Sequence, residues 1–392
     1  MAAWVVLLFI GWDALGGMLR WILAGAGLAA LAYLPMAIGL GYGVHRCLVR
    51  ILGEGELAMA LWLVFQALVG CICVANLAQV LFGLWVLTPV LIGYTCLDEL
   101  EAMGPWTWRI LAVVYLVLVA GVMLNQIGPS PWEGHAYSFG GQEIVGTRRW
   151  ATGGFRRVAG TQRSSIGAAA LILVLAILLR GRLARAGQRA ALLASAGIGI
   201  LFTTTKGVLL SWLLVVLATI LAPLTGPVAA QGLVLLCLAG SVLLPVAGVA
   251  LLPFLPVNNP IVWLLLFSTD DRIRNIWPRA LHLVHAHGHW ALGRGLGGMG
   301  TAQMYFEPQS WNPGDNVALF LWGNFGLVGV ALYCWLCFRL VERMGRPEPG
   351  AAWVAPALLF FTSYGVTNNN IESTAMGLLL GMLMAKASGR RP

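Results

Sequence analysis

Long apolar runs, broken by brief polar punctuation, set the pattern of this chain. Between residues 2 and 254 they follow one another with short charged connectors, and three more fall between 316 and 387. A helix of about 20 apolar residues crosses the hydrocarbon core of a bilayer. The runs lack the strict alternation of a membrane-barrel strand, so helices are the structure that pairs the backbone in lipid. The pattern predicts an all-α, polytopic membrane protein with about 12 transmembrane helices, the whole of 1–392 forming a single integral membrane domain. The apolar start, Val5 to Ile10, is short and runs into Asp13, which predicts a first helix rather than a signal peptide. Two stretches depart from the pattern, 125–163 and 256–315. They predict long loops, the second a large one carrying amphipathic helices.

Composition agrees. Of 392 residues, 59% are hydrophobic and 10% charged, with a mean hydropathy of +0.83. Soluble domains carry about 25% charged residues, and a water-soluble core cannot hide this much apolar surface. The net charge of +9 lies mostly in loops, so it points to topology or phosphate contacts rather than nucleic acid. Arginine is dense from Arg180 to Arg189, from Arg339 to Arg346 and at Arg390-Arg391, with Arg46 and Arg50 on the same side. The positive-inside tendency places these and both termini in the cytoplasm, and the two long loops on the opposite face. The seven cysteines fall mostly in apolar runs. Cys334 and Cys337 have C-x-x-C spacing without a second pair, so they read as small packing residues.

The candidate chemistry lies in the two loops. The first holds Arg148, Arg149, Arg156, Arg157 and Arg163 against Glu133 and Glu143, with no lysine. The second holds Arg272, Arg274, Arg279 and Arg294. Arginine pairs with phosphate through a planar fork and stays charged. Solvated charge at the headgroups is the alternative, but two loops contributing to one face favour an anionic ligand. Arg272 and Arg279, with Ile276, Leu283 and Trp290, predict an amphipathic helix at the membrane surface. His282, His285, His287 and His289 form a histidine-rich tract of a kind that can bind a metal. Their spacing scatters them over different faces and no carboxylates accompany them, so they read as surface residues, His289 as one contacting substrate. Gly293 to Gly298 matches a dinucleotide-binding spacing without the strand and helix that motif requires, and reads instead as a tight, flexible turn into the cavity. Lys206, after Thr203-Thr204-Thr205, is either a snorkelling side chain or a second phosphate contact. Glu372 follows three asparagines in the last outer turn. Asp315 is either a general base beside the arginines or the N-cap of the following helix. In the second case a histidine of 282–289 or Glu372 would be the base.

Asp315-Asn316, nine intervening residues and Gly326-Leu327-Val328-Gly329 resemble the pattern beside the large periplasmic loop of the O-antigen ligase and O-antigen polymerase family. Asp315 stands where the ligases have histidine. Lys206 and Leu210 hold the spacing of the family's Arg-x-x-x-Leu element, with lysine for arginine. Arg272 and Arg274 before Trp277, the run GRGLGGMG and the segment GTQRSSIGAA are also similar to family elements. Both departures fit the variable polymerases better than the ligases. The resemblance implies a multi-pass glycosyltransferase of the bacterial inner membrane, with its site facing the periplasm. The donor would be an undecaprenyl-diphosphate-linked glycan, and the acceptor a glycan or lipid A core. Membrane lipid and a chain-length regulator would be partners, with no metal and no cofactor. It implies block polymerisation of repeat units into O-antigen or exopolysaccharide with inversion, or ligation of the glycan into lipopolysaccharide. On this basis Asp315, Arg272 and Arg274 are the expected catalytic residues. Arg157, Arg163, Lys206, Arg279, Asn316, His289 and Glu372 are expected to bind diphosphate or glycan. A lipid-linked sugar flippase would instead carry ionisable residues along a mid-membrane path, and the spans hold few.

Overall fold

The computed structural model describes residues 2–49, 54–102, 104–139, 142–152, 155–251, 268–345 and 352–389. The first part of the expected loop 256–315, through residue 267, lies outside them. The fold is all-α apart from two hairpins. The helices are α1 (Ala2–Ala14), α2 (Gly16–Gly25), α3 (Leu34–Val49), α4 (Glu54–Cys73), α5 (Leu77–Val86), α6 (Thr88–Thr95), α7 (Leu97–Glu101) and α8 (Pro105–Ile127). The hairpins follow, β1 (Ala136–Phe139) with β2 (Gln142–Val145) and β3 (Trp150–Thr152) with β4 (Phe155–Arg157). Then come α9 (Ser165–Arg180), α10 (Ala186–Thr203), α11 (Lys206–Thr225), α12 (Val228–Leu251), α13 (Trp277–His287), α14 (Thr301–Phe306), α15 (Val317–Met344), α16 (Val354–Gly365) and α17 (Thr374–Ala387).

The expectation of about 12 spans is corrected by these helices. Among the described residues four are long and apolar enough to cross a membrane, within α8, α11, α12 and α15. The number rises to six if each bent pair is one span: α1 with α2, bent by 80°, and α5 with α6, bent by 40°. Hydropathy alone cannot separate a lipid-facing span from a buried helix, and here the two are mixed. In α9 every residue from Ala168 to Leu179 is buried, so this helix is apolar all round because it forms the centre of the bundle. At 16 residues it is about 24 Å long, less than the roughly 30 Å of hydrocarbon. The outer helices behave oppositely. Ile72, Ile127, Leu224 and Val246 are strongly exposed, as expected where lipid rather than water covers the surface.

Helix packing at the core relies on small residues. Gly377 and Gly381 give α17 a small-x-x-x-small face against α6, and Gly93 answers from α6. A Cβ at Gly381 would lie 2.0 Å from the Val90 carbonyl oxygen, and one at Gly93 would lie 2.1 Å from that of Leu378. Three helices start on side-chain caps that accept a backbone N–H: Asn76 from Gln79, Ser164 from Gly167 and Asn316 from Leu319.

This packing gives a direct test. Gly381→Ala should lower stability by about 1–3 kcal/mol, because backbone faces the new methyl group and cannot yield. Gly232→Ala, with nothing within 4 Å, should be neutral or slightly stabilising. Thermal unfolding of the detergent-purified protein reads both, and equal midpoints for the two variants would refute the close α6–α17 contact.

Candidate functional site

The hairpins, the α10–α11 corner and the segment before α13 meet at one cluster of charge. In the β3–β4 hairpin Trp150 pairs with Arg157, so both side chains share a face. The Arg157 guanidinium lies 5.2 Å from the Trp150 ring centre, and its Nη2 donates to Thr205 Oγ1 at 3.4 Å. Thr205 reaches that position because Thr204 adopts a left-handed conformation, φ 54°, at the end of α10. A non-glycine residue there costs of order 1–3 kcal/mol and marks a corner held by its surroundings. Lys206 opens α11 immediately afterwards and sits within electrostatic reach of Arg157.

Arg272 comes from a π-helical turn, Arg272–Ile276, inside a helix that runs from residue 268 to His287. Its Nη1 donates to the Ser268 carbonyl at 2.8 Å and to the Ser268 hydroxyl. Its Nη2 lies 3.2 Å from Asp315 Oδ2. The Trp277 indole, fully buried, donates to the Asp315 carbonyl at 3.2 Å. Tyr364, at the end of α16, interacts with Arg157, Arg272 and Asp315 together. Gly207 makes room for it, since a Cβ there would lie 3.2 Å from the Tyr364 ring. Burial, with the Arg272 guanidinium nearby, holds Arg157 below the ordinary arginine value. Burial pushes the Asp315 carboxyl up, against the opposing pull of Arg272.

The structure thus makes Lys206, Arg157, Arg272 and Asp315 successive neighbours, with Tyr364 in reach of the last three. It places the other expected residues elsewhere. Asn316, rather than Asp315, caps α15: its Oδ1 accepts from Leu319 N at 2.8 Å, and its Nδ2 donates to the Val366 carbonyl at 2.9 Å. Both ends of its amide are thus engaged, and Asn316 is fully buried. Arg274 points outward and pairs with both oxygens of Asp270 at 2.8 and 2.9 Å. Arg279 and His289 are exposed, as are His282, His285 and His287. Arg163 belongs to a different cluster. Glu372 accepts from Thr301 N at 2.7 Å, from Thr301 Oγ1 at 2.9 Å and from Asn369 Nδ2 at 2.9 Å. The predicted amphipathic face is also corrected. Ile273, Trp277, Ala280, Leu283 and Val284 face inward, while Trp290 is exposed, because the helix ends at Gly288.

The glycine run is buried rather than a free turn. It fills a break in α15 at Gly326, where φ is 66°. The freed Leu327 and Val328 N–H groups donate to the Trp290 and Ala291 carbonyls at 3.2 and 3.4 Å. A Cβ at Gly295 would lie 2.0 Å from Gly70 N, and one at Gly297 would lie 2.5 Å from the Gln79 carbonyl oxygen. Arg294, only 3% exposed, pins the run from within. It pairs with Glu307 at 2.9 Å and donates to the Gly298 carbonyl at 2.5 Å. Beside the break, an apolar cavity of about 330 Å³ lies between α3, α4, the α5–α6 pair, α15 and α17, with Trp62, Leu84, Leu332 and Leu380 in its walls. Sequence reasoning missed Trp150, Thr205 and Tyr364. Only Thr205, next to Lys206, carried a signal.

The chain matches no known protein-family model, and no curated protein matches it by sequence.

Glu372 gives a pH signature. Burial pushes its carboxyl from 4.5 up to about 7, opposed by the two Thr301 hydrogen bonds. Because the folded value is raised, its contribution to stability is full below about 4.5 and is lost as pH rises through about 7. The loss for a carboxyl shifted this far is on the order of 3 kcal/mol. Glu372→Gln should therefore flatten the thermal midpoint between pH 5 and pH 8. Parallel pH slopes for variant and wild type would exclude this titration.

Proposed function

We propose that the protein is a membrane glycosyltransferase that polymerises undecaprenyl-diphosphate-linked oligosaccharide repeat units into O-antigen or exopolysaccharide. Its site would face the periplasm from the bacterial inner membrane. The observation that carries this reading is the run of neighbouring cations Lys206, Arg157 and Arg272, from three separate segments, with the carboxylate of Asp315 paired to Arg272. Cations in excess of carboxylates suit a diphosphate leaving group.

In the reaction, an acceptor hydroxyl attacks the anomeric carbon on the face opposite the diphosphate, and the anomeric centre inverts. The bond from that carbon to the diphosphate oxygen breaks. The hydroxyl proton passes to Asp315, and the charge left on the lipid diphosphate is held by Arg157, Lys206 and Arg272. Fixed cations in a site shielded from water need no rearrangement as that charge develops. Asp315 is suited to its task because burial moves its carboxyl toward neutrality, which makes it a stronger base than a solvated aspartate. Arg272 has two roles: it orients the base at 3.2 Å and contributes to the positive field.

Asp315→Asn should lower turnover by about 10²–10⁴ with little change in donor affinity. Arg272→Gln should lower it by about 10²–10³. In a polymer-deficient strain, both variants, at normal membrane levels, should leave single unpolymerised repeat units. If wild type supplies no chain extension but is needed to move finished chains off the carrier lipid, the protein is a ligase. Polymer unaffected by both substitutions would overturn the site.

A further inference from the structure

A second group of arginines lies apart from Asp315 and Arg272. It is assembled by the break between α1 and α2. At that 80° bend, Gly17 N and Met18 N both donate to the Thr161 carbonyl, at 2.9 and 3.2 Å, and Thr161 Oγ1 donates to the Ala14 carbonyl at 2.7 Å. A Cβ at Gly17 would lie 2.6 Å from the Gln162 carbonyl oxygen, so only glycine lets the two backbones meet. One turn further along α2 is Arg20, which this docking carries to Arg163. Arg148 is tied to the same place, its N–H donating to the Arg163 carbonyl at 2.9 Å. Three guanidinium groups from three segments therefore share one site.

Their charge is only partly balanced. Among the described residues none of the three forms an ion pair with a carboxylate. The carboxylate of Asp13, which accepts from Gln162 Nε2 at 3.0 Å, lies within electrostatic reach of Arg20 and Arg163, one anion against three cations. Nε of Arg20 and Nε of Arg163 are buried without a hydrogen-bond acceptor. Buried like charges with free donors are costly unless something neutralises them. Burial, with Arg20 and Arg148 alongside, lowers Arg163 to about 10. The phenols of Tyr33 and Tyr305 lie within electrostatic reach of the same group. The site ends at Trp150. The Arg148 guanidinium is 5.1 Å from that ring centre and Arg157 is 5.2 Å from it, so both cationic groups adjoin this one tryptophan.

We propose that Arg20, Arg148 and Arg163 form a second phosphate-binding site, which takes the diphosphate of a lipid-linked acceptor. The acceptor role rests on the function proposed above, whereas the binding of the diphosphate does not. Arg163 is tethered in the site by its bond to the Val145 carbonyl at 3.1 Å. Arg20 and Arg148 flank it from α2 and the hairpin. A donor held by Arg157, Lys206 and Arg272 and an acceptor held here would both lie beside one indole ring.

The test uses the full-length protein in phosphatidylcholine nanodiscs, with thermal stability followed as inorganic diphosphate is added. Arg157→Gln/Arg272→Gln should keep a diphosphate-dependent rise in midpoint. Adding Arg20→Gln/Arg148→Gln should weaken that response by at least about tenfold. Without diphosphate, the Arg20→Gln/Arg148→Gln variant should melt at or above wild type, because like charges have been removed. A lower midpoint with an unchanged diphosphate response would show a structural cluster and overturn the proposal. So would complete loss of the response in Arg157→Gln/Arg272→Gln. Phosphatidylglycerol nanodiscs distinguish the source: if that lipid abolishes the response, bulk headgroups occupy the site and the acceptor assignment falls. If Asp315→Asn and Arg272→Gln both leave polymer intact while the second diphosphate response persists, the catalytic site proposed above fails and the anion site stands.

Discussion

The break in α15 at Gly326 is the constraint on which much of this architecture depends. An apolar environment tolerates an interrupted helix only if other groups pair the backbone it frees. Here the carbonyls of Trp290 and Ala291 do so, and they can approach only because glycine occupies 293 and 326. The glycine run then lies against α4 and α5 with no room for side chains, and the buried Arg294 ties it to Glu307. The route from α13 into α15 is thereby fixed, and with it the separation of Arg272 from Asp315. A residue pair at one end of a helix owes its geometry to glycines near the middle of that helix.

The cluster around Asp315 shows how few elements a charged site needs when each has one role. The left-handed Thr204 turns Thr205 and Lys206 toward Arg157. A π turn presents Arg272 on one side of its helix, while Ile273 and Trp277 anchor the other. Asn316 satisfies the helix start, which leaves the adjacent carboxylate unneeded there and able to face the arginine.

Residue type and order along the chain made part of this legible. Asp315, Arg272, Lys206 and Arg157 stood out because charge is sparse in so apolar a chain, and because each lies near the edge of an apolar run. The division of labour between Asp315 and Asn316 was not legible, since either residue caps a helix well. Nor was the separation of Arg163 from Arg157, which depends on the α1–α2 bend docking on Thr161. The four strands are too short for alternation to register, although each hairpin carries a Gly-Gly dipeptide, Gly140-Gly141 and Gly153-Gly154, between its strands. The span count failed for a different reason. Hydropathy records apolar character alone, and α9, α16 and α17 are apolar because protein surrounds them.

Arg156 and Arg157 are neighbours with separate fates, and strand alternation separates them. Arg157 faces Trp150 and Thr205, while Arg156 turns the other way, 3.8 Å from Glu133 and bonded to the Asn125 carbonyl. Register thus acts as an address for chemically identical side chains. Lengthening or shortening the β3–β4 hairpin by one residue would exchange the two arginines with no change in composition or net charge. Along this stretch the length of the hairpin is under tighter constraint than the identity of most of its residues.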